Sequence, residues 1–137
     1  MKGKFLDFGK EVLASVEKLS TCYKTQVGAV LFKDTRIIAI GYNGTPAGWE
    51  HCKDNHDLHL TYDVHAEANV IAFCARHGIQ TNETTMFVSK SPCRECAKLI
   101  VQAGITTVWI KEVYKNDTTG LEILYKSGID YYIFGEN

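Results

Sequence analysis

A three-layer α/β/α sandwich around a five-stranded mixed sheet is the fold class that three observations predict. Apolar residues first recur at spacings of three and four; short apolar runs then alternate with helical segments; and those runs are nearly continuous in apolar residues, as in strands covered by helices on both faces.

The N-terminal segment carries Phe5, Phe8, Val12, Leu13, Val16 and Leu19 on one face of a helix. Val27 to Phe32 and Arg36 to Tyr42 read as strands joined by a short polar turn around Lys33, Asp34 and Thr35, an antiparallel hairpin. Residues 65–76, 93–103 and 117–127 are expected as helices, between strands at Met86 to Val88, Thr107 to Ile110 and Tyr131 to Phe134. The order is then α-β-β-α-β-α-β-α-β. Asn43 to Asp63 has too few apolar residues for core and is expected to be a long irregular loop, a kind that is often functional. With 137 residues and no composition shift, repeat or low-complexity tract, residues 1–137 are expected to form a single domain.

Fifteen basic residues against sixteen acidic give a formal charge of -1. Binding to a nucleic acid draws on many Lys and Arg contacts to phosphate, so no nucleic-acid partner is expected, whereas a mononucleotide asks for far less positive charge. No apolar run approaches the roughly 20 residues of a membrane span, so no membrane partner is expected. The N-terminal segment, with Asp7 and Glu11 inside its apolar repeat, reads as a helix of the fold instead of a signal peptide. A cytoplasmic location is the expectation. Five cysteines, an odd number, then point to metal ligands or core thiols instead of disulfides.

Three features carry the chemistry. His65-Ala66-Glu67 opens a helix, Ser91-Pro92-Cys93 leaves a strand, and Cys96 follows Cys93 at i+3 on the same helical face. One imidazole and two thiolates fill three of zinc's four tetrahedral positions, the ligand count of a catalytic site that keeps the fourth for water. Helix N-termini favour the deprotonated thiols. Glu67 stands two residues from His65, off its helical face, and is assigned as proton carrier rather than ligand. It would take a proton from the water, pass one to ring N3 as oxygen attacks C4 of an aminopyrimidine, then protonate the departing amine. H-x-E with P-C-x-x-C is the signature of zinc deaminases. A non-catalytic zinc module is the competing reading, since C-x-x-C alone also marks structural and redox sites.

On these motifs, and on QVGAVLFKDTRIIAIGYNGTPAG at 26–48, VHAEANVIAF at 64–73 and SPCRECAKLIVQAGITTVWIKE at 91–112, the chain resembles the cytidine/deoxycytidylate deaminase superfamily, most closely its dCMP deaminase branch. The resemblance implies hydrolysis of dCMP to dUMP and ammonia in support of thymidylate synthesis, with another cytosine nucleotide, a nucleoside or a nucleic-acid base as the alternative substrates. It implies that Asn43 holds the sugar and that the Ala66 N–H and the Ser91 backbone hold the ring. Thr25, Lys24, Tyr114 and Lys115 flank the expected mouth as donors to the 5′-phosphate. It further implies a homohexamer activated by dCTP and inhibited by dTTP with Mg2+, with Gly41, Tyr42, Gly44, Phe73 and Arg76 as the effector candidates. Some relatives hold a second, structural zinc near the positions of Cys22 and Cys52; His56 or His59 with Asp63 are the candidate remaining ligands here, in a region that also contains His51. Cys74 reads as core.

Overall fold

The computed structural model describes residues 1–135. Helix α1, Gly3–Glu17, is followed by strands β1, Gly28–Lys33, and β2, Arg36–Tyr42. A 3-10 turn at His56–Leu58 and a four-residue helix α2, His59–Tyr62, precede α3, Ala66–His77. Then come β3, Thr85–Lys90; α4, Arg94–Gln102; β4, Thr107–Glu112; α5, Thr119–Lys126; and β5, Asp130–Ile133. The five strands form one sheet in the order β2-β1-β3-β4-β5. β1 is antiparallel to both β2 and β3, whereas β3, β4 and β5 run parallel, so the sheet is mixed as expected.

Alternation along the strands divides the core. Ala29, Leu31, Met86, Val88, Val108 and Ile110 face one side, where Val70 of α3, Ile100 of α4 and Leu124 of α5 join them. Val30, Phe32 and Phe87 face the other side and meet Leu13 and Val16 of α1. Each fully buried side chain of this size contributes about 1.5–3 kcal/mol relative to an exposed one.

The expectation of strands buried on both faces holds for β1 and β3 alone. A helix about 10–12 Å wide covers only two or three strands set about 4.8 Å apart, and among the described residues α1 is the only helix on its side. Tyr132 of β5, paired with Trp109 on that side, consequently remains exposed. The expected irregular loop 43–63 also differs: Asn55 caps a short turn, its side chain accepting a hydrogen bond from the Asp57 N–H, and α2 follows. β3 continues past Val88 because Lys90 still pairs in register with Glu112. Among the described residues no helix is long and apolar enough to cross a membrane.

Candidate metal centre and substrate pocket

Two helix N-termini converge on one point. His65 is the N-cap of α3 and Cys93 the N-cap of α4, both with extended backbone, and the Cys93 Sγ accepts from the Cys96 N–H at 3.5 Å. The Nδ1 of His65 lies 3.5 Å from the Sγ of Cys93 and 3.5 Å from that of Cys96. Bonds of about 2.3 Å to sulfur and 2.0–2.1 Å to nitrogen at tetrahedral angles would set these atoms about 3.5 Å apart, so the three donors fit zinc. Hydrogen bonds from the Cys96 thiol and from His65 hold the Cys93 thiol down at about 3. The Cys96 thiol is pushed up by its hydrogen bond to Cys93 and by burial, and the His65 imidazole is raised by its hydrogen bond to Cys93. Metal binding requires deprotonated thiols and a neutral imidazole, so it would release the protons these groups carry.

Glu67, in the first turn of α3, is 4% exposed, and burial pushes its carboxyl up from 4.5 to about 7. A carboxyl raised in the fold binds its proton more tightly there than in the unfolded chain. Its contribution to stability is therefore complete below pH 4.5 and is lost as pH rises through 7. In metal-free protein, Glu67→Gln is accordingly expected to be the more stable variant at pH 8 by roughly 3 kcal/mol, with the difference vanishing near pH 4. Urea denaturation of chelator-treated wild type and variant at both pH values checks this.

His65, Glu67 and Cys93 form the floor of a cleft of about 320 Å³, with Cys96 behind them outside its lining. Asn43, Thr25 and Val27 line one wall, His59, Leu60 and Asp63 another, and Lys90, Ser91 and Tyr114 a third, with Ala66 beside His65 and Glu67. Asn43 is 6% exposed, and its carboxamide is held from three sides. Its Oδ1 accepts from the Ser20 hydroxyl and from the Val27 N–H at 2.9 Å, while its Nδ2 donates to the Thr25 carbonyl at 3.0 Å. Ser91, also buried, accepts at its Oγ from the Tyr114 N–H at 2.7 Å, fixing the chain after β4 against the pocket.

A second cluster stands behind the wall made by α2. Cys22, Cys52, His59 and Asp63 have their donor atoms within 4.8 Å of one another. The Nδ1 of His59 lies 3.3 Å from the Cys22 Sγ and 2.8 Å from the Asp63 Oδ2, to which the Cys52 thiol donates at 3.4 Å. Burial pushes the Cys52 thiol up to about 11, and the Oδ1 of Asp63 is buried without a partner. Two thiols, an imidazole and a carboxylate are a donor set suited to zinc. His59 is the histidine of this set. His56 is not, being stacked on Tyr23 with ring centroids 3.7 Å apart, and His51 is exposed outside it.

Other expected residues fall elsewhere. Lys24 and Lys115 are exposed and absent from the cleft lining, whereas Lys90, Val27 and Leu60 line it without having been expected. Gly41 is buried where a Cβ would meet the α3 backbone 2.7 Å away, and Gly44 bridges to Val64. Tyr42, Phe73 and Arg76 are exposed. Phe73 and Arg76 share an α3 face with Asn69, whose side chain accepts from the Tyr42 N–H at 3.4 Å. Cys74 is fully buried, as expected of a core residue.

Comparison with known proteins follows the same lines. A family model described as the cytidine and deoxycytidylate deaminase zinc-binding region matches residues 6–112. The chain is similar to ComE operon protein 2 of Bacillus subtilis, 40% identical over 114 residues, a match covering 80% of the chain and 60% of that protein. It is 31% identical over 160 residues to the deoxycytidylate deaminase of Enterobacteria phage T2, covering 85% of each. A crystal structure of dCMP deaminase from the cyanophage S-TIM5, in complex with dCMP and dUMP, superimposes with a TM-score of 0.90 at 28% identity, over 98% of this chain and 99% of the other.

Proposed function

Because the chain belongs to the cytidine and deoxycytidylate deaminase family, we propose that it hydrolyses dCMP to dUMP and ammonia at the centre formed by His65, Glu67, Cys93 and Cys96. The observation that carries the reading is a buried carboxyl, poised near neutrality, beside a donor set of one imidazole and two thiols. His65, Cys93 and Cys96 would hold a zinc ion, which would supply a Lewis acid able to bring the pKa of a water down to about 7.

Glu67 performs the proton transfers. Its carboxylate accepts a proton from the attacking water and delivers one to N3, so that C4 becomes electrophilic. As C4 turns tetrahedral, Glu67 takes the remaining proton from the new C4 hydroxyl and carries it to the exocyclic nitrogen; the C4 carbonyl forms as the C–N bond breaks, and ammonia leaves. Burial raises the Glu67 carboxyl above the ordinary carboxylate range, the direction that favours a group able both to accept and to donate a proton. Asn43, its oxygen engaged inward, turns its amide N–H toward a sugar hydroxyl, and the Ala66 N–H and Ser91 backbone hold the ring. Thr25 and Tyr114 flank the phosphate. The test is ammonia release from dCMP, CMP, deoxycytidine and short single-stranded DNA. Fastest turnover of dCMP is the expected result; turnover of the DNA alone would overturn the reading.

A second zinc at Cys22, Cys52, His59 and Asp63 is part of the proposal, supported by the donor separations and by the unpartnered Asp63 oxygen. Elemental analysis should return two zinc per chain, and Cys52→Ser should return one, with a lowered melting temperature. Regulation by dCTP and dTTP with Mg2+, assembly as a homohexamer and a role in thymidylate supply rest on the family resemblance. The exposed Tyr42, Phe73 and Arg76 beside the edge strand β2 are consistent with that regulation. Sedimentation and turnover with each effector test these points.

A further inference from the structure

We propose that Lys90 recognises the 5′-phosphate of the substrate and is the residue by which this cleft prefers a mononucleotide to a nucleoside. The inference rests on the deaminase reading above.

Lys90 closes β3, and strand alternation settles its direction. Met86 and Val88, at i−4 and i−2, pack in the core shared with α3 and α4, so Lys90 projects to the side that carries His65, Glu67 and Cys93. It lines the cleft together with Ser91 and Tyr114. The other charged side chains on the lining tell against an anion: Asp63 and Glu67 are acids, and the imidazoles of His59 and His65 belong to the two metal-ligand sets. A phosphate with up to two negative charges entering this cleft therefore meets its positive charge at Lys90.

The ammonium is available for the task. Its carboxylate neighbour, Glu112, is 3.7 Å away, with the two side chains 39% and 47% exposed. An open pair of that length is weak in water, and three phosphate oxygens offer the ammonium better acceptors. A nucleoside, which has no phosphate, makes no use of Lys90.

Steady-state kinetics on the intact, zinc-loaded chain, with dCMP and deoxycytidine as paired substrates, test this. In Lys90→Gln the ratio of kcat/KM for dCMP to that for deoxycytidine is expected to fall about 10- to 100-fold, the size of a lost charge-assisted hydrogen bond. Lys90→Arg should restore most of it. Zinc content and melting temperature establish that each variant is folded. Glu112→Gln removes the competing carboxylate from outside the cleft and should move the ratio the opposite way. An unchanged ratio in Lys90→Gln, or equal losses on both substrates, overturns the assignment while leaving deamination standing. A wild-type chain that releases no ammonia from dCMP defeats the deaminase reading, and the assignment falls with it.

Discussion

Glu67→Gln is expected to lower kcat on dCMP by about 10²- to 10⁴-fold, the range that a positioned general acid and base contributes, while zinc content stays at the wild-type level. The carboxyl is buried at the first turn of α3 and serves the reaction only as a carrier of protons. Gln matches its volume and keeps one acceptor oxygen, so packing around Ala66 and Val70 is preserved while proton transfer is abolished. The three ligands stand on His65, Cys93 and Cys96, none of which the substitution touches. Stopped assays on dCMP paired with metal analysis separate the outcomes. Turnover within a few-fold of wild type would remove Glu67 from the mechanism, and loss of the metal along with activity would show that it is structural.

Gly120→Ala is expected to destabilise the protein and weaken its hold on the zinc proposed at His65, Cys93 and Cys96, although helix propensity alone forecasts the reverse. In the interior of an exposed helix the change would gain about 1 kcal/mol. Here a Cβ on Gly120 would collide with the carbonyl oxygen of Pro92 and sit 3.1 Å from that of Cys93. The obstacle is backbone, which cannot rotate aside as a side chain can, and overpacking of this kind costs about 1–3 kcal/mol. Either α5 retreats or the Pro92–Cys93 turn does, and the second displaces a ligand. A fall in melting temperature of about 5 °C and a weakening of zinc affinity by about 10-fold or more are expected, read by calorimetry and chelator competition. A rise in melting temperature would show that propensity wins and that the close approach is not obligatory.

The candidate metal centre is legible because its donor residues are local in sequence. His65-Ala66-Glu67 and Cys93 with Cys96 each sit on one helical turn, where spacing dictates geometry. The order of helices and strands was legible for the same reason, as apolar period is a local property. What escaped depended on contacts between distant segments. Lys90 was missed because a polar residue after Met86-Phe87-Val88 looks like the end of a strand; only pairing with Glu112 extends β3 to it. The sequence alone does not choose the histidine of the second cluster, because Asn43 to Asp63 has too few apolar residues to signal a helix. The α2 turn puts His59 and Asp63 at i and i+4 and leaves His56 to Tyr23. Ser20, which helps fix the Asn43 carboxamide from 23 residues away, gave no local signal at all. The half-covered face of β4 and β5 likewise reflects how far one helix can reach, which no strand reports about itself.

The cleft's floor and its walls come from different kinds of structure. The floor is two helix caps backed by a close-packed core; most of the walls are connecting segments between residues 20 and 27, 43 and 64, and 113 and 118. Connecting segments accept insertion and substitution far more readily than packed caps do. Selection could therefore reshape which molecule is admitted without disturbing the reaction performed on it, and an engineer seeking a new substrate should begin with the rim and leave the base alone.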